Sequence, residues 1–169
     1  MDGSMWLPEF DHEFGETRKA LERVPEDQFA WSPHEKSWSL HDLAAHLAEV
    51  PHWTAPTLET DTMDLDAEPY ERVVPETKEA ILAHFDAGVE QARAAIAQAD
   101  GAKLGETWRM IHGGEVTIEM PKGAVLRSFI LNHNVHHRAQ LGVYLRLLGV
   151  PVPGHYGPTA DDIEQAAEA

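Results

Sequence analysis

The chain contains no cysteine. That excludes disulfides, thiolate nucleophiles and zinc sites closed by Cys ligands. Any bound metal must sit on nitrogen or oxygen, which leaves the 11 histidines and the carboxylates. Positive charge is also scarce, with 13 Lys and Arg against 29 Asp and Glu and a formal net charge of −16. Such a surface repels phosphate backbones and anionic membranes. The only adjacent basic pair is Arg18-Lys19, so nucleic acid is not expected as a partner. No apolar run approaches the roughly 20 residues needed to cross a bilayer. The start, MDGSMWLPEFDHEF, is acidic and lacks the basic and apolar regions of a secretory signal. A cytoplasmic protein without membrane attachment is expected. Met5 offers an alternative start that would make Met1–Ser4 an added leader.

What is present fits one globular domain over residues 1–169, with 43% hydrophobic and 25% charged residues. Apolar positions at helical spacing predict helix one over about 8–24, closed by Pro25. Ser39 and Asp42 form a variant capping box that opens helix two, about 40–55, along Leu40, Leu43, Leu47 and Val50. Residues 56–75 are acidic, carry Pro56, Pro69 and Pro75, and read as a long surface connection. Helix three follows Pro75 and runs to about Ala99, with Glu76 and Glu79 near the positive end of its dipole. Trp108, Met110, Val116, Ile118 and Met120 alternate around His112-Gly113-Gly114, which predicts a small β-hairpin. Helix four, about 122–148, is the longest and is stopped by Gly149 and Pro151. The expected fold is all-α, a four-helix bundle with a small β-hairpin between helices three and four.

The stretch NHNVHHRAQ places His133, His136 and His137 within an otherwise apolar helix. With Ala124 at zero on a helical wheel, the expected core stripe (Phe129, Leu126, Tyr144, Ile130) covers about 140–240°. His133 then falls at about 180° and His137 at about 220°, inside that stripe, while His136 at about 120° lies on its flank. An i,i+4 histidine pair is a common metal-binding geometry. The alternative is a pair of core imidazoles bonded to each other or to backbone, which leaves ring nitrogens to be satisfied in an apolar setting. A third ligand would come from a facing helix, and His46 is the best placed, about 40° from Val50 on the stripe of helix two. His41 and His52 project to its polar side, while His12, His84, His112 and His155 read as surface or packing residues.

Gln140, at about 160°, and Glu49, beside His46, are the candidates to orient the rings from behind, although a solvated carboxylate is the ordinary reading of Glu49. Asn132, Asn134 and Arg138 are expected to point away from the core. Trp31, Trp38, Trp53 and Trp108 serve either as core or as pocket walls. Leu131, Val135, Ala139 and Gly142 form a second apolar strip, at about 340°, 20°, 60° and 0°, which a single bundle core cannot bury. A homodimer through that strip is expected.

WSLHDLAAHLAEV together with HNVHHRAQLGVYLRLLGVPVPGHYGP resembles the DinB/YfiT-like superfamily of metal-binding four-helix bundles. The resemblance spans nearly the whole chain and includes the W-S-P turn before helix two. It implies that His46, His133 and His137 are the three metal ligands. Ala139 stands where the family commonly has Gly in R-G-Q, at a position away from the site. Some relatives are transferases or isomerases that use a low-molecular-weight thiol such as bacillithiol or mycothiol; others have no established reaction.

Three neutral imidazoles leave a divalent ion its full charge and an open position for water or a thiolate, with catalysis through either of these. Zinc or nickel fits such a set, and manganese or iron uses the same ligands. The sequence therefore points to a metal-dependent enzyme acting on a small molecule, a thiol-dependent transferase or a hydrolase. The alternative is a non-catalytic metal-binding or stress-response protein whose ion is structural, and no motif separates the two. Metal and protons compete for the imidazoles, whose ordinary pKa of about 6.5 is expected to be lowered by burial, so the metal-dependent gain in stability should shrink as pH drops through roughly 6 to 5.

Overall fold

A computed structural model describes residues 2–67 and 73–168. Met1 and residues 68–72, part of the expected connection over 56–75, lie outside the described residues. Helix α1 spans Leu7–Glu22. Helix α2 spans Leu40–Glu49, and the Ser39 hydroxyl accepts from the amide of Asp42 at its start. Pro51 does not end the helical path there. A 3-10 turn, Val50–Trp53, leads into α3, Thr54–Glu59, so helix continues into the region expected as loop.

Thr77 caps α4, Lys78–Gln98, by accepting from the amide of Ala80. The segment expected only to stop this helix forms a short helix of its own, α5, Gly101–Gly105, capped by Asp100. The last long helical run has three parts: α6, Lys122–Val125; a π-helical segment, Leu126–Leu131; and α7, Asn132–Leu147. Gly149 follows with φ +71, a conformation that favours glycine at a helix end. A final helix, α8, covers Ala160–Glu168.

The expectation of an all-α fold is corrected by a three-stranded mixed sheet. Strands β2, Thr107–His112, and β3, Glu115–Pro121, form the predicted antiparallel hairpin. Gly113 and Gly114 take φ of 65 and 75 in its two-residue turn, where only a primed turn matches the strand twist. Strand β1, Thr62–Asp64, pairs in parallel with β2, in the register Thr62↔Arg109 and Asp64↔Ile111. From the sequence this segment reads as part of the connection over 56–75. Lys122 pins the sheet to the helices: its buried ammonium donates to Leu58 O (3.1 Å), Asp61 Oδ1 (3.0 Å) and Glu106 Oε2 (2.8 Å).

The core lies between the long helices. Both α1 and α2 pack against α4 and α7. Phe10 stacks on Phe14, which meets Phe85 of α4, with Leu43, Leu47, Leu126, Ile130 and Leu141 around them. No helix among the described residues is long and apolar enough to cross a membrane.

The π-helical segment resets the face of everything after it. One extra residue per turn advances the register of α7 by roughly 100° relative to an uninterrupted α-helix. The buried positions of α7 are accordingly Asn134, Arg138, Leu141 and Leu145, with His137 beside them. Asn134 and Arg138, expected to face outwards, are 0% and 1% exposed. Asn134 accepts from the Thr17 hydroxyl at 2.9 Å, and Arg138 pairs with Glu13 Oε2 of α1 at 2.7 Å. Asn132 is exposed as expected.

The second apolar strip is largely covered from within. Leu131 belongs to the core, and a Cβ at Gly142 would touch Val152 of the chain's own tail at 3.6 Å. Val135 and Gly142 are half-buried and Ala139 is exposed, so part of the strip that carried the expected homodimer remains at the surface.

Candidate metal centre

The same rotation that carries Asn134 and Arg138 into the core moves His133 and His137 to its rim. On an unbroken helix they would sit at the centre of the apolar face. Here His133 is half-buried and His137 is 9% exposed, both facing the last turn of α2. His46 meets them there. One ring nitrogen from each of His46, His133 and His137 lies within 4.8 Å of the others. These three could hold a metal ion, and the remaining histidines lie outside the group. His136 is exposed and touches only the edge of His137, with ring centres 4.8 Å apart. His41 Nε2 stands 2.7 Å from Pro75 O, and His52 Nε2 stands 2.9 Å from His84 O, while the His52 and His84 rings stack.

Two of the three rings have a polar side chain behind them. His137 Nδ1 is 2.7 Å from the amide oxygen of Gln140. An amide oxygen only accepts, so the proton is on Nδ1 and the Nε2 lone pair faces the cluster. His46 Nδ1 faces Glu49 Oε2 at 3.7 Å. Glu49 is 3% exposed, which corrects its reading as a solvated carboxylate. Both sequence-chosen orienting residues therefore stand behind a ring, Gln140 in direct hydrogen-bond contact and Glu49 at longer range.

The electrostatics favour neutral rings. Burial, reinforced by the neighbouring imidazoles, pushes the pKa of His133 from 6.5 to about 4. His137 is pushed down to about 4 in the same way, the Gln140 hydrogen bond opposing the shift. At neutral pH both present free lone pairs, as metal ligation requires.

His46 Nε2 and His133 Nε2 are 2.8 Å apart. Two lone pairs at that distance repel unless a proton or a cation lies between them. Two ligands on a tetrahedral ion with metal–nitrogen bonds of about 2.0–2.1 Å stand about 3.3–3.4 Å apart, so a modest opening of the rings accommodates one. The donor set fits a divalent ion held by three nitrogens.

Two tryptophans frame the rings. Trp38 lies parallel to His137 with centres 5.4 Å apart and edge-on to His46, and its backbone oxygen accepts from the Tyr144 hydroxyl. Trp53 meets His46 and His133 edge-on at 5.5 Å. A cavity of about 290 Å³ adjoins, reaching His133 and walled by Trp53, Phe129 and the sheet residues Met63, Trp108, Met110 and Ile118. The sequence had offered Trp53 and Trp108 as walls but missed the share of β1. Met63 and Leu65 alternate, but two apolar residues among acidic ones are too short a period to read as a strand.

Comparison with known proteins agrees with this architecture. The model of the DinB family matches residues 6–168. An uncharacterized protein, YrdA, of Bacillus subtilis (strain 168) is 28% identical over 158 residues, covering 93% of this chain and 89% of that protein. A DinB-like protein of Bacillus cereus ATCC 10987 superposes with a TM-score of 0.66 at 21% identity, over 88% of this chain and 94% of that one. A second, YjoA of Bacillus subtilis, superposes with a TM-score of 0.71 at 20% identity, over 89% and 97%.

Proposed function

The chain belongs to the DinB family, and on that premise we propose that it is a metal-dependent enzyme acting on a small molecule. His46, His133 and His137 are its metal ligands, with Gln140 and Glu49 orienting the rings. The reaction is a transfer to or from a low-molecular-weight thiol, or a hydrolysis. One observation carries this reading: the three-imidazole cluster is not sealed by core packing but borders a cavity that reaches His133. An ion that only braced two helices would need no such space.

A bound zinc or nickel ion would supply Lewis acidity towards water, a thiol or a substrate oxygen. The protein's own part is to keep the rings neutral, to fix their tautomers through Gln140 and Glu49, and to exclude bulk water with Trp38 and Trp53. The second reading, a structural ion, is favoured by one feature, that the ligands come from two different helices and an ion would tie them together.

Metal analysis of protein purified without an affinity tag comes first. Assays of the loaded protein with bacillithiol, mycothiol or glutathione and a model electrophile follow, alongside ester and amide hydrolysis. We expect about one divalent ion per chain and turnover abolished by chelation. Stoichiometric metal with no turnover in any of these assays favours the structural ion.

A further inference from the structure

We propose that the cavity walled by the sheet is a binding site for a neutral aromatic or branched hydrocarbon group of the substrate, whose polar end then lies at His133. This rests on the reading of His133 as a metal ligand. Of the eleven residues that line the cavity, nine are apolar and none carries a formal charge at neutral pH. The two polar ones are His133 and Thr57, and the Thr57 hydroxyl already donates to Trp53 O at 2.8 Å. The Trp108 indole N–H is buried without a partner and matches at most one acceptor, whereas a charged group placed here would lose its hydration without gaining a counter-charge. A hydrocarbon would lose only water that the walls bind poorly.

Size narrows the class further. At about 290 Å³ the cavity lies at the lower limit of small-molecule sites. It is too small for a peptide side of an interface and suited to one or two fused rings. Trp53, Trp108 and Phe129 offer flat faces, while Met63 and Met110 adjust to irregular shapes. The ionised body of a cellular thiol does not fit such walls. In a thiol transfer the cavity therefore holds the other reactant, and the thiol approaches from elsewhere around the histidines.

The test has two arms. In the first, the neutral two-ring fluorophore prodan is titrated into metal-loaded and chelated protein, with wild type, Ile118→Glu and the cavity-filling Ile118→Trp compared. Ile118 and Met110 are only partly buried, and circular dichroism verifies that the variants fold. We expect saturable binding to both wild-type forms and at least a tenfold loss in Ile118→Glu. Met110→Glu is an independent repeat from the neighbouring strand.

In the second arm, acetohydroxamate, butyrohydroxamate and benzohydroxamate bind the loaded protein through a common chelating head. Each added methylene should tighten binding about fourfold, and Ile118→Glu should flatten the series. Fluorophore binding unchanged in both glutamate variants, or a flat series in wild type, overturns the proposal. Failure of the metal reading is seen separately, as wild-type protein without stoichiometric metal, and leaves the first arm as a full test of the cavity.

Discussion

At the residue scale, the site depends on which ring nitrogen each histidine turns inwards. His46→Ala, His133→Ala and His137→Ala should each lower bound metal well below one per chain by elemental analysis. His136→Ala should leave it unchanged, because His136 lies outside the cluster. Full stoichiometry in the His46 variant would remove the ligand from α2. Gln140 gives a subtler test. Its amide oxygen fixes the His137 tautomer from 2.7 Å away, and partners of this kind typically contribute 10–100-fold in metal affinity. Gln140→Leu should weaken affinity by about that range in competition with a chromophoric chelator, with the melting temperature of the chelated protein little altered. An unchanged affinity would mean that the ring is held by packing against Trp38 alone. His133 and His137 were legible because they are four residues apart within one regular helix, a relation that needs no tertiary knowledge, and His46 because it lies beside the apolar stripe of helix two. Glu49 was legible as a neighbour of His46, but its burial was not, because burial of a helix-end carboxylate depends on tertiary packing.

At the scale of elements, the π-helical segment Leu126–Leu131 decides which face of α7 is inside. A wheel drawn through it places Asn134 and Arg138 outside, and every later angle carries the same error. No residue in LRSFIL announces the extra turn width, since its apolar pattern suits either helix. The hairpin was legible from strict alternation and the two glycines. The parallel strand β1 was not, because a strand of three residues has too little period to read, and its pairing is set by Lys122 and Asp66 across the chain.

The reset register creates the joint between α1 and α7. Arg138 donates to Glu13 Oε2 and to the Glu13 backbone oxygen, both at 2.7 Å, and the Tyr156 hydroxyl donates to the same carboxylate oxygen. Glu13 is 8% exposed, so losing Arg138 leaves a buried carboxylate without its cation. Arg138→Met should destabilise by about 3–5 kcal/mol, read in urea unfolding. Adding Glu13→Gln should recover part of that loss. Loss below about 1 kcal/mol would show that water enters the joint freely. The subunit contact expected through the second apolar strip turns on area. Stable interfaces bury about 800 Å² per partner, more than the four residues of the strip expose by themselves. Val135→Glu should therefore leave the sedimentation coefficient of the protein unchanged, and a shift towards a smaller species would restore the strip as a contact.

At the scale of the whole molecule, the histidine cluster couples stability to pH in a direction that the geometry fixes. His133 and His137 have folded pKa values near 4, against an ordinary value of 6.5. Between those values the unfolded chain binds more protons than the folded one, so stability falls as pH falls. The contribution is complete above about pH 6.5 and lost progressively down to about 4. An ion bound only by the folded form adds stability through mass action. At His133 and His137 protons compete with it only where those two folded imidazoles titrate. At these two ligands the competition expected at pH 6 to 5 is therefore displaced downwards. The difference in melting temperature between loaded and chelated protein should be nearly the same at pH 7.5 and 5.5, then shrink between about 5 and 4. Taking the difference at each pH cancels the many carboxylates that titrate in the same acid range, because both forms carry them. A gain that already fades between pH 6.5 and 5.5 would mean the rings titrate as exposed histidines and are not held in the buried cluster. No gain at pH 7.5 with zinc or nickel supplied would return the cluster to a set of core imidazoles sharing one proton across the 2.8 Å between His46 and His133.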